Sequence, residues 1–543
     1  MSEFKGIKGE ELYQIVKDIC EFGYRRIGTP EALKAEKYIH DKLIEVGITD
    51  TKLEEFEFPK WTPKKHELTI LAEKTPLITS DCVIDTFPYW STGSTGLEGV
   101  KGELVYVGNG TSVDFENRDV RDKIVLIEGK MLLNFHTTHS ALSFNSQNLA
   151  KEAGAIGIIC INGSPLESIS YLFNSSLRGW KRRLPALSIS NSDGLYLKSL
   201  CTRSFVQVKL VLDVKKEEGK SNIIMGTLPG KSDDIILIGT HTDSTFTGAV
   251  DNATGNAGLI ALAKFFSKIS LDKRNKTLIF AGWSGHEAGL IGVERFYKNH
   301  KDMLNKISTF ILLDGIASHG YKNQVDGGVI RTGVDEQRGL FISDNTILLP
   351  VVMDAVLKYK LLPAAYVSAK KLPVSDLSPF IISNVPSIMI IGKPIWYHTI
   401  YDTIDKCTPE QLERSAKAHA QIILKLLDIP GKEIKDADGK LTNIRDFIKK
   451  KEGISPPSGT FMVFPYPIVE GYPSFFVPIM DYAPESIVMD VTWDFGDGDS
   501  DSIILTRHEY EKAGTYEVSC TFTDNFDNVF MIKKSVQVIK NLS

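Results

Sequence analysis

Imidazole and carboxylate side chains follow four short apolar runs of the sequence, at the point where each run ends. The runs are DIILIG, TLIFAG, TFILL and PSIMIIG, and the polar residues after them are His241 and Asp243, His286 and Glu287, Asp314, and His398. One further carboxylate, Asp251, lies in the glycine-rich segment GAVDNATGNAG, ahead of a helical pattern. Imidazoles and carboxylates together are the ligands of catalytic zinc and similar divalent ions, and they also act as general acids and bases.

These residues are predicted to meet at one edge of a sheet. Short apolar runs without alternation are typical of strands covered on both faces, and sites in such sheets assemble beyond the carboxyl ends of the strands. We predict five metal ligands: His241, Asp251, Glu287, Asp314 and His398. Five side chains are too many for one open catalytic site, and they fit two metal ions that share a carboxylate. We expect Asp243 to accept the second ring N–H of His241 and so to orient that ring.

The elements that position these residues belong to a chain of several domains, since 543 residues are too many for one ordinary domain. Strand, loop and helix alternate from about 219 to 430, which predicts a three-layer α/β/α sandwich with a mixed, largely parallel sheet. The segment EALKAEKYIHDKLIEVGI has helical spacing and ends at Gly47, and the alternating LEEFEF predicts a strand. We therefore assign residues 1–73 to the same main domain.

Two further modules are predicted from changes in residue pattern and composition along the chain. Residues 74–218 carry short apolar runs broken by turns, which predicts a β-rich insert with one or two helices. Residues 431–457 are charged and then rich in Pro, Gly and Ser, as a linker is. Residues 458–543 return to short strands and turns, as in a small β-sandwich.

Composition excludes some classes of function. A net charge of -5 and a pI near 6.2 argue against binding to nucleic acid. No apolar run is long enough to span a bilayer, and the first twenty residues lack the apolar core of a secretory signal. The six cysteines are scattered singly, so we predict neither a disulfide framework nor a cysteine zinc site.

The sequence motifs resemble the co-catalytic two-zinc aminopeptidase family, which includes bacterial leucyl aminopeptidases, aminopeptidase Y, glutamate carboxypeptidases and glutaminyl cyclases. The matching segments are HTDS, GAVDNATGNAG, HEAGLIG, LLDG, SDLSPF and YHTIYDT, in that order. The resemblance implies two zinc ions, one held by His241 and Asp314 and the other by Glu287 and His398, with Asp251 bridging them. It also implies a peptide substrate and a water between the ions that attacks the scissile carbonyl.

One position departs from the family pattern. The family has two adjacent glutamates, of which the first is the general base, and this chain has His286 followed by Glu287. Imidazole is able to act as a general base near neutral pH, although a cationic site lowers its pKa. The ring of His286 is also able to bind a metal ion itself. Three outcomes stay open: a peptidase that uses His286, a slow hydrolase, and a metal-binding relative without peptidase activity.

The other modules also resemble known domains. The runs VKGELVYVG, DVRDKIVLIEG and LPALSISNSDG are similar to a protease-associated domain, which would lean over the metal cleft. WDFGDG and AGTYEV resemble a PKD domain, an immunoglobulin-like β-sandwich that contacts another protein or a surface. These modules imply an extracellular role by analogy, whereas the N-terminus favours an intracellular one. The oligomeric state stays open.

Two further groups of polar residues are predicted to be ordinary loop residues. His136 and His139 have no evident carboxylate partner, so we expect ordinary loop histidines. The basic cluster Arg178, Lys181, Arg182 and Arg183 is predicted to be a solvated loop. Its alternative role is to receive an acidic substrate group, as in a carboxypeptidase of the glutamate-releasing kind, which is the rival to an aminopeptidase. A serine nucleophile is disfavoured because no G-x-S-x-G elbow follows a strand.

Overall fold

A computed structural model describes most of the chain. The described residues are 4–116, 118–128, 140–162, 183–323, 329–371, 375–392, 395–441, 444, 458–464, 466–481, 485–504 and 506–541. The first elements are α1 (Gly9–Glu21), α2 (Pro30–Glu45) and β1 (Asp50–Ile70). The Thr29 hydroxyl accepts the Ala32 N–H and caps α2, and Gly47, at a φ of 104°, follows the end of the helix. The predicted helix and its stop are confirmed.

Two long strands that pair with each other lead into and out of the insert. Strand β1 runs antiparallel to a strand of 22 residues near the end of the insert, with a bulge between Pro63 and Lys65. The helices and strands that follow β1 are β2 (Cys82–Ile84), β3 (Phe87–Pro88), β4 (Gly96–Tyr106), α3 (Ser112–Glu116), β5 (Ile124–Glu128), α4 (Ser140–Glu152), β6 (Gly157–Ile161), β7 (Ala186–Ile189), α5 (Asn191–Arg203) and the 22-residue strand itself, β8 (Gln207–Leu228). Strands β4 to β7 form a parallel sheet. The described part of the insert has three helices, not the one or two predicted, because the five-residue α3 carries no periodicity and α5 follows its cap Ser190 directly after a strand.

The main domain continues after β8 with alternating strands and helices. They are β9 (Ile235–His241), α6 (Thr254–Phe266), β10 (Thr277–Trp283), α7 (Ile291–Asn299), α8 (Lys301–Leu304), β11 (Ile307–Leu312), β12 (His319–Asn323), β13 (Val329–Asp335), β14 (Arg338–Ile342), α9 (Leu348–Lys358), β15 (Ala364–Ser368), α10 (Ser378–Ile382), β16 (Ser387–Ile391), α11 (Pro409–Leu427) and α12 (Gly431–Asp436). Helix α12 lies within residues 431–457, which the sequence predicts to be a linker. Its Ile434 is fully buried against the main domain, so the start of this range packs on that domain.

The central sheet is mixed and has the strand order β1, β8, β10, β9, β11, β16, β14, β15. Strands β10, β9, β11 and β16 are mutually parallel, and these are the four apolar runs of the sequence. Helices α1, α6, α9 and α11 pack on one face, while α7 and α10 pack on the other. The predicted three-layer α/β/α sandwich is confirmed. Within the described residues, no helix has the length and apolarity needed to cross a bilayer.

The C-terminal module is a β-sandwich that pairs with the main sheet. Its strands are β17 (Ser458–Phe464), β18 (Ile468–Val469), β19 (Pro473–Asp481), β20 (Ile487–Asp494), β21 (Ser500–Asp501), β22 (Thr506–Glu509), β23 (Gly514–Asp524) and β24 (Val529–Ile539). Strand β20 lies parallel to the edge strand β15, with Ala364 opposite Ile487. Ile487 is fully buried in the core of the main domain, and Lys371 Nζ donates to the Ser502 carbonyl at 3.0 Å. This module therefore closes one edge of the main sheet.

Candidate metal centre

Four of the five predicted ligands lie just beyond the carboxyl ends of adjacent parallel strands. His241 is the last residue of β9, and Glu287 follows β10. Asp314 follows β11, and His398 follows β16 in a left-handed conformation with a φ of 59°. Because β10, β9, β11 and β16 are neighbours with one direction, their polar ends share one edge of the sheet, as the sequence predicts.

Asp251, the fifth predicted ligand, is held by a turn that is bonded to the surrounding strands. Asn252 donates to the Thr240 hydroxyl and to the Leu313 carbonyl, both at 3.0 Å, which ties the turn to the ends of β9 and β11. The buried carboxylate of Asp402 accepts the Asp251 N–H at 3.0 Å. The peptide bond between Asp251 and Asn252 is cis. These contacts fix the carboxylate of Asp251 beside the strand ends.

Asp251 lies between two pairs of the other ligands. Its Oδ1 is 3.2 Å from His241 Nε2, and its Oδ2 is 3.3 Å from His398 Nε2. Asp314 Oδ1 is 3.5 Å from the same atom of His241, and Glu287 Oε2 is 2.9 Å from His398 Nε2. The five side chains thus form two groups that share Asp251.

The charges of the cluster favour a bound cation. All five side chains are buried, with at most 6% exposed, and three of them are carboxylates. Burial lowers the pKa of His398, but the carboxylates of Glu287 and Asp251 outweigh it and raise that pKa to about 9. Burial also lowers the pKa of His241, and the carboxylates around it raise that pKa well above its ordinary value. Nitrogen and oxygen donors without thiolate, in a net negative buried site, fit zinc or a similar divalent ion.

The second ring nitrogen of His241 faces Asp243, through an acceptor atom other than the predicted carboxylate. Its Nδ1 lies 3.1 Å from the carbonyl oxygen of Asp243, while the Asp243 carboxylate is 3.6 Å away. A carbonyl oxygen only accepts, so Nδ1 donates and Nε2 points to Asp251 and Asp314. The Asp243 carboxylate instead accepts the backbone N–H groups of His286 and Glu287, at 3.1 and 3.0 Å. Asp243 thus lies behind the second ring nitrogen of His241, and the acceptor at hydrogen-bond distance is its carbonyl oxygen instead of the carboxylate.

His286 lies at the same edge of the sheet as the five ligands. Its ring stacks on His241 with 4.2 Å between ring centroids and 13° between planes. Its Nδ1 is 3.1 Å from Asp376 Oδ2. One ring nitrogen also lies within 4.8 Å of donor atoms of His241 and Asp314, so His286 is close enough to take part in metal binding. Burial lowers the pKa of His286, and Asp376 outweighs it, so protein groups alone raise that pKa.

Two buried carboxylates were not predicted as site residues, although both lie in segments that match the family. Asp376, in SDLSPF, accepts the Trp283 indole N–H at 2.9 Å and faces His286. Asp402, in YHTIYDT, accepts the backbone N–H groups of Val250 and Asp251. Burial raises the pKa of Asp402 to about 7. Their place within matching segments was the signal for both residues, whereas their contacts depend on the folded chain.

The two loop histidines and the basic cluster lie mostly outside the described residues. This holds for His136 and His139, and also for Arg178, Lys181 and Arg182. Arg183 is described and is partly buried beside the insert strand β7. The six cysteines carry free thiols, as predicted.

Comparison with protein families assigns three domains. Residues 222–423 match peptidase family M28, residues 100–197 match the PA domain, and residues 469–538 match the PKD domain. The order of these matches, PA, then M28, then PKD, is the order that the resemblance of the motifs implies. The boundaries at 73, 218, 430 and 457 stay predictions.

Individual proteins agree with this assignment. A probable leucine aminopeptidase 2 of Trichophyton verrucosum is 29% identical over 236 residues, which cover 42% of this chain and 44% of that protein. The match thus spans less than half the length of that relative. A peptidase M28 precursor from Shewanella amazonensis has a TM-score of 0.63 at 23% identity, over 77% of this chain and 93% of the other. A zinc aminopeptidase from Bacillus subtilis has a TM-score of 0.62 at 19% identity, over 79% of this chain and 98% of the other. The two structures establish the shared fold.

Proposed function

We propose that this protein is a two-zinc aminopeptidase that removes the N-terminal residue from peptides. The observation that carries the proposal is the position of Asp251, whose two oxygens face the two histidines of the ligand set at 3.2 and 3.3 Å. Such a carboxylate suits a bridge between two ions. The names of the relative from Trichophyton verrucosum and of the Bacillus subtilis structure support the same activity.

The chain supplies one ligand group for each ion. His241 and Asp314 would hold one ion, Glu287 and His398 the other, and Asp251 both. Zinc in such a site supplies Lewis acidity, which polarises a carbonyl and lowers the pKa of water. The Asp243 carbonyl keeps the His241 ring in the tautomer that leaves Nε2 for the metal.

His286 is proposed to carry the proton during hydrolysis. Its Nδ1 faces Asp376, so Nε2 is the nitrogen left to take a proton from water and to pass it to the leaving amine. Asp376 holds the ring in place and favours its protonated form, as the third group of a nucleophile–base–carboxylate triad does. The stacking of the ring on His241 fixes its plane.

The test is turnover by the purified, zinc-loaded protein. We expect hydrolysis of leucine aminoanilide, no hydrolysis of the N-acetylated anilide, and two zinc ions per chain by elemental analysis. His286→Ala is expected to lower kcat by about 100-fold to 10,000-fold with zinc content unchanged, which is the range for loss of a general base. Hydrolysis of C-terminally unblocked peptides with a blocked N-terminus would instead indicate a carboxypeptidase. Zinc binding without turnover of any substrate would indicate a metal-binding relative without peptidase activity.

His286→Glu separates the open outcomes for this position. We expect lower activity, because a carboxylate at this site would face the carboxylate of Asp376, which now lies 3.1 Å from the ring. Higher activity would mean that the missing glutamate limits the enzyme. A loss of zinc in His286→Ala would mean that His286 is a ligand.

A further inference from the structure

A fully buried arginine, Arg25, lies behind the metal centre and carries a charge that the proposed reaction does not use. It stands between α1 and α2, and none of its surface is exposed. Its Nη1 donates to the carbonyl oxygens of Ile19 and Gly23, each at 3.3 Å, at and just after the end of α1. These contacts attach the guanidinium to the N-terminal segment of the main domain.

The same guanidinium reaches the loop that leads from β9 to the turn of Asp251. Its Nη1 donates to the Thr247 carbonyl at 2.7 Å, and its Nη2 donates to the Gly248 carbonyl at 3.0 Å. Its Nε donates to the Thr242 carbonyl at 3.4 Å, directly after the metal ligand that ends β9. Arg25 therefore joins both ends of this loop to the N-terminal segment.

Gly248 is the point where the loop enters the turn of Asp251. Its φ is 55°, and a Cβ there would lie 2.3 Å from the carbonyl oxygen of Asp251, so the position requires glycine. The Gly248 carbonyl also accepts the Ala253 N–H at 3.1 Å. On the other side of the turn, the Asp402 carboxylate accepts the Asp251 N–H. The turn is thus held between Arg25 and Asp402.

The charge of Arg25 by itself opposes metal binding. Burial lowers the pKa of Arg25, but a guanidinium keeps its proton in proteins. Within the described residues, its hydrogen bonds all go to backbone carbonyl oxygens. Its charge attracts the carboxylates of Asp402, Asp243 and Asp251, and it would repel a metal ion bound by the last of these. Any benefit of Arg25 to the metal centre must therefore come from its hydrogen bonds.

We propose that Arg25 is a positioning residue for Asp251, the carboxylate that would bridge the two metal ions. It holds the carbonyls of Thr247 and Gly248, and with them the start of the turn. The two oxygens of Asp251 then face the two histidine ligands at 3.2 and 3.3 Å. This role rests on the proposed two-ion site, and it means that a residue of the N-terminal segment sets the zinc affinity of that site.

The zinc affinity of the metal-free protein tests this role, because the measurement needs no substrate. The affinity is measured by competition with a chromophoric chelator, well below the unfolding temperature of every variant. Arg25→Met removes the charge and the donors, while Arg25→Lys keeps the charge and an N–H donor group. Lys17→Met, at an exposed position of α1, is the control for loss of a positive charge. Val356→Ala, at a fully buried position of α9, is the control for loss of stability.

We expect Arg25→Met to raise the Kd for zinc by about 10-fold to 100-fold, the range for loss of a group that orients a ligand. Arg25→Lys should raise it by about 3-fold to 10-fold, because its ammonium replaces part of the hydrogen bonding. Both controls should stay within about twofold of wild type, although Val356→Ala lowers the unfolding temperature. Unchanged or tighter zinc binding by Arg25→Met would overturn the proposal, since tighter binding is the result that charge repulsion alone predicts. If Arg25→Met does not fold, unchanged or tighter binding by Arg25→Lys would overturn it in the same way.

Turnover of leucine aminoanilide by the same preparations separates this role from the proposed function. Weaker zinc binding by the Arg25 variants, in a protein that hydrolyses no peptide even as wild type, would overturn the proposed function and support the role of Arg25. Turnover by wild type together with equal zinc binding by all variants would overturn the role of Arg25 and support the proposed function. A loss of zinc affinity in Val356→Ala as large as that in Arg25→Met would also overturn the role, because it would then reflect stability alone.

Discussion

Asp376→Asn isolates the contribution of the carboxylate behind His286. Asp376 is fully buried, its Oδ2 accepts the Trp283 indole N–H at 2.9 Å, and the same oxygen lies 3.1 Å from His286 Nδ1. Asparagine has nearly the same shape and keeps one acceptor oxygen for Trp283. The substitution therefore removes the negative charge beside the imidazole and leaves the packing in place.

The expected loss follows from that single charged contact. A hydrogen bond to a charged group contributes about 1.5–3 kcal/mol, which corresponds to roughly a 10-fold to 150-fold fall in kcat. KM for leucine aminoanilide should stay within about twofold, because Asp376 is shielded from the substrate by His286. The free energy of unfolding should fall by about 1–3 kcal/mol, since the asparagine NH₂ group replaces Oδ1, which is buried and has no hydrogen-bond partner among the described residues.

Steady-state kinetics with leucine aminoanilide, with zinc content and thermal unfolding measured on the same preparations, decides the matter. Asp302→Asn, at an exposed position of α8, serves as the control and should change neither kcat nor stability. A folded, zinc-loaded Asp376→Asn protein with wild-type kcat would refute the role of Asp376. A fall in zinc content that accounts for the whole loss would also refute it, because the effect would then act through metal binding.

Three further changes test the fold and the metal centre. In urea unfolding curves, the free energy of unfolding of wild type should fall by on the order of 3 kcal/mol between pH 4.5 and 7. Glu36→Gln should abolish this fall. Asp402→Asn should lower stability by about 1–3 kcal/mol and weaken zinc retention during dialysis, because its NH₂ group would meet one of the two backbone N–H groups that the carboxylate accepts. Ile487→Ala should cost about 2–4 kcal/mol and shift one common calorimetric transition of the main domain and the C-terminal sandwich, because the side chain is fully buried in the main core.

The direction of the pH dependence of stability follows from the burial of Glu36. Burial raises the pKa of Glu36 to about 7 from an ordinary 4.5, although Ser221 and Asn222 donate to it. Between these two values the folded state keeps a proton that the unfolded chain releases, so stability is full below pH 4.5 and is lost as pH rises through 7. A flat pH dependence in wild type would contradict this.

The other two predictions also have controls. Val529→Ala, at a position that is 56% exposed, should change stability by less than about 0.5 kcal/mol. Two separate transitions in the Ile487→Ala protein, with only the smaller one moved, would contradict the shared core. For Asp402→Asn, zinc retention equal to that of wild type would show that the turn at Asp251 does not depend on this carboxylate.

Much of the candidate metal centre was predictable from the sequence, because the geometry of parallel strands is regular. An apolar run of five or six residues implies a covered strand, and the next polar residue then lies at the sheet edge. This logic locates His241, Glu287 and Asp314 without any tertiary contact. The grouping of ligands through Asp251 came from resemblance, and the distances of the folded chain are consistent with it.

Contacts between distant segments were not predictable in the same way. Asp376 is far from Trp283 and His286 in sequence, and no local pattern distinguishes it from an ordinary capping aspartate. The partner of His241 Nδ1 depends on a backbone turn, and this is why the Asp243 carbonyl, and not its carboxylate, takes the N–H. Strand β1 extends well beyond the six residues predicted from alternation, because its pairing with β8 continues into the insert where polar residues are tolerated.

The pairing of β15 with β20 forms only late in synthesis, because β20 lies more than 100 residues after β15 in the chain. The main sheet is translated before the C-terminal sandwich, so the backbone groups of β15 at Ala364 and Ala365 stay open until β20 has left the ribosome. Open strand edges recruit other chains and lead to aggregation. A nascent or truncated chain without β20 therefore presents an unpaired edge at β15, and pairing with β20 closes that edge.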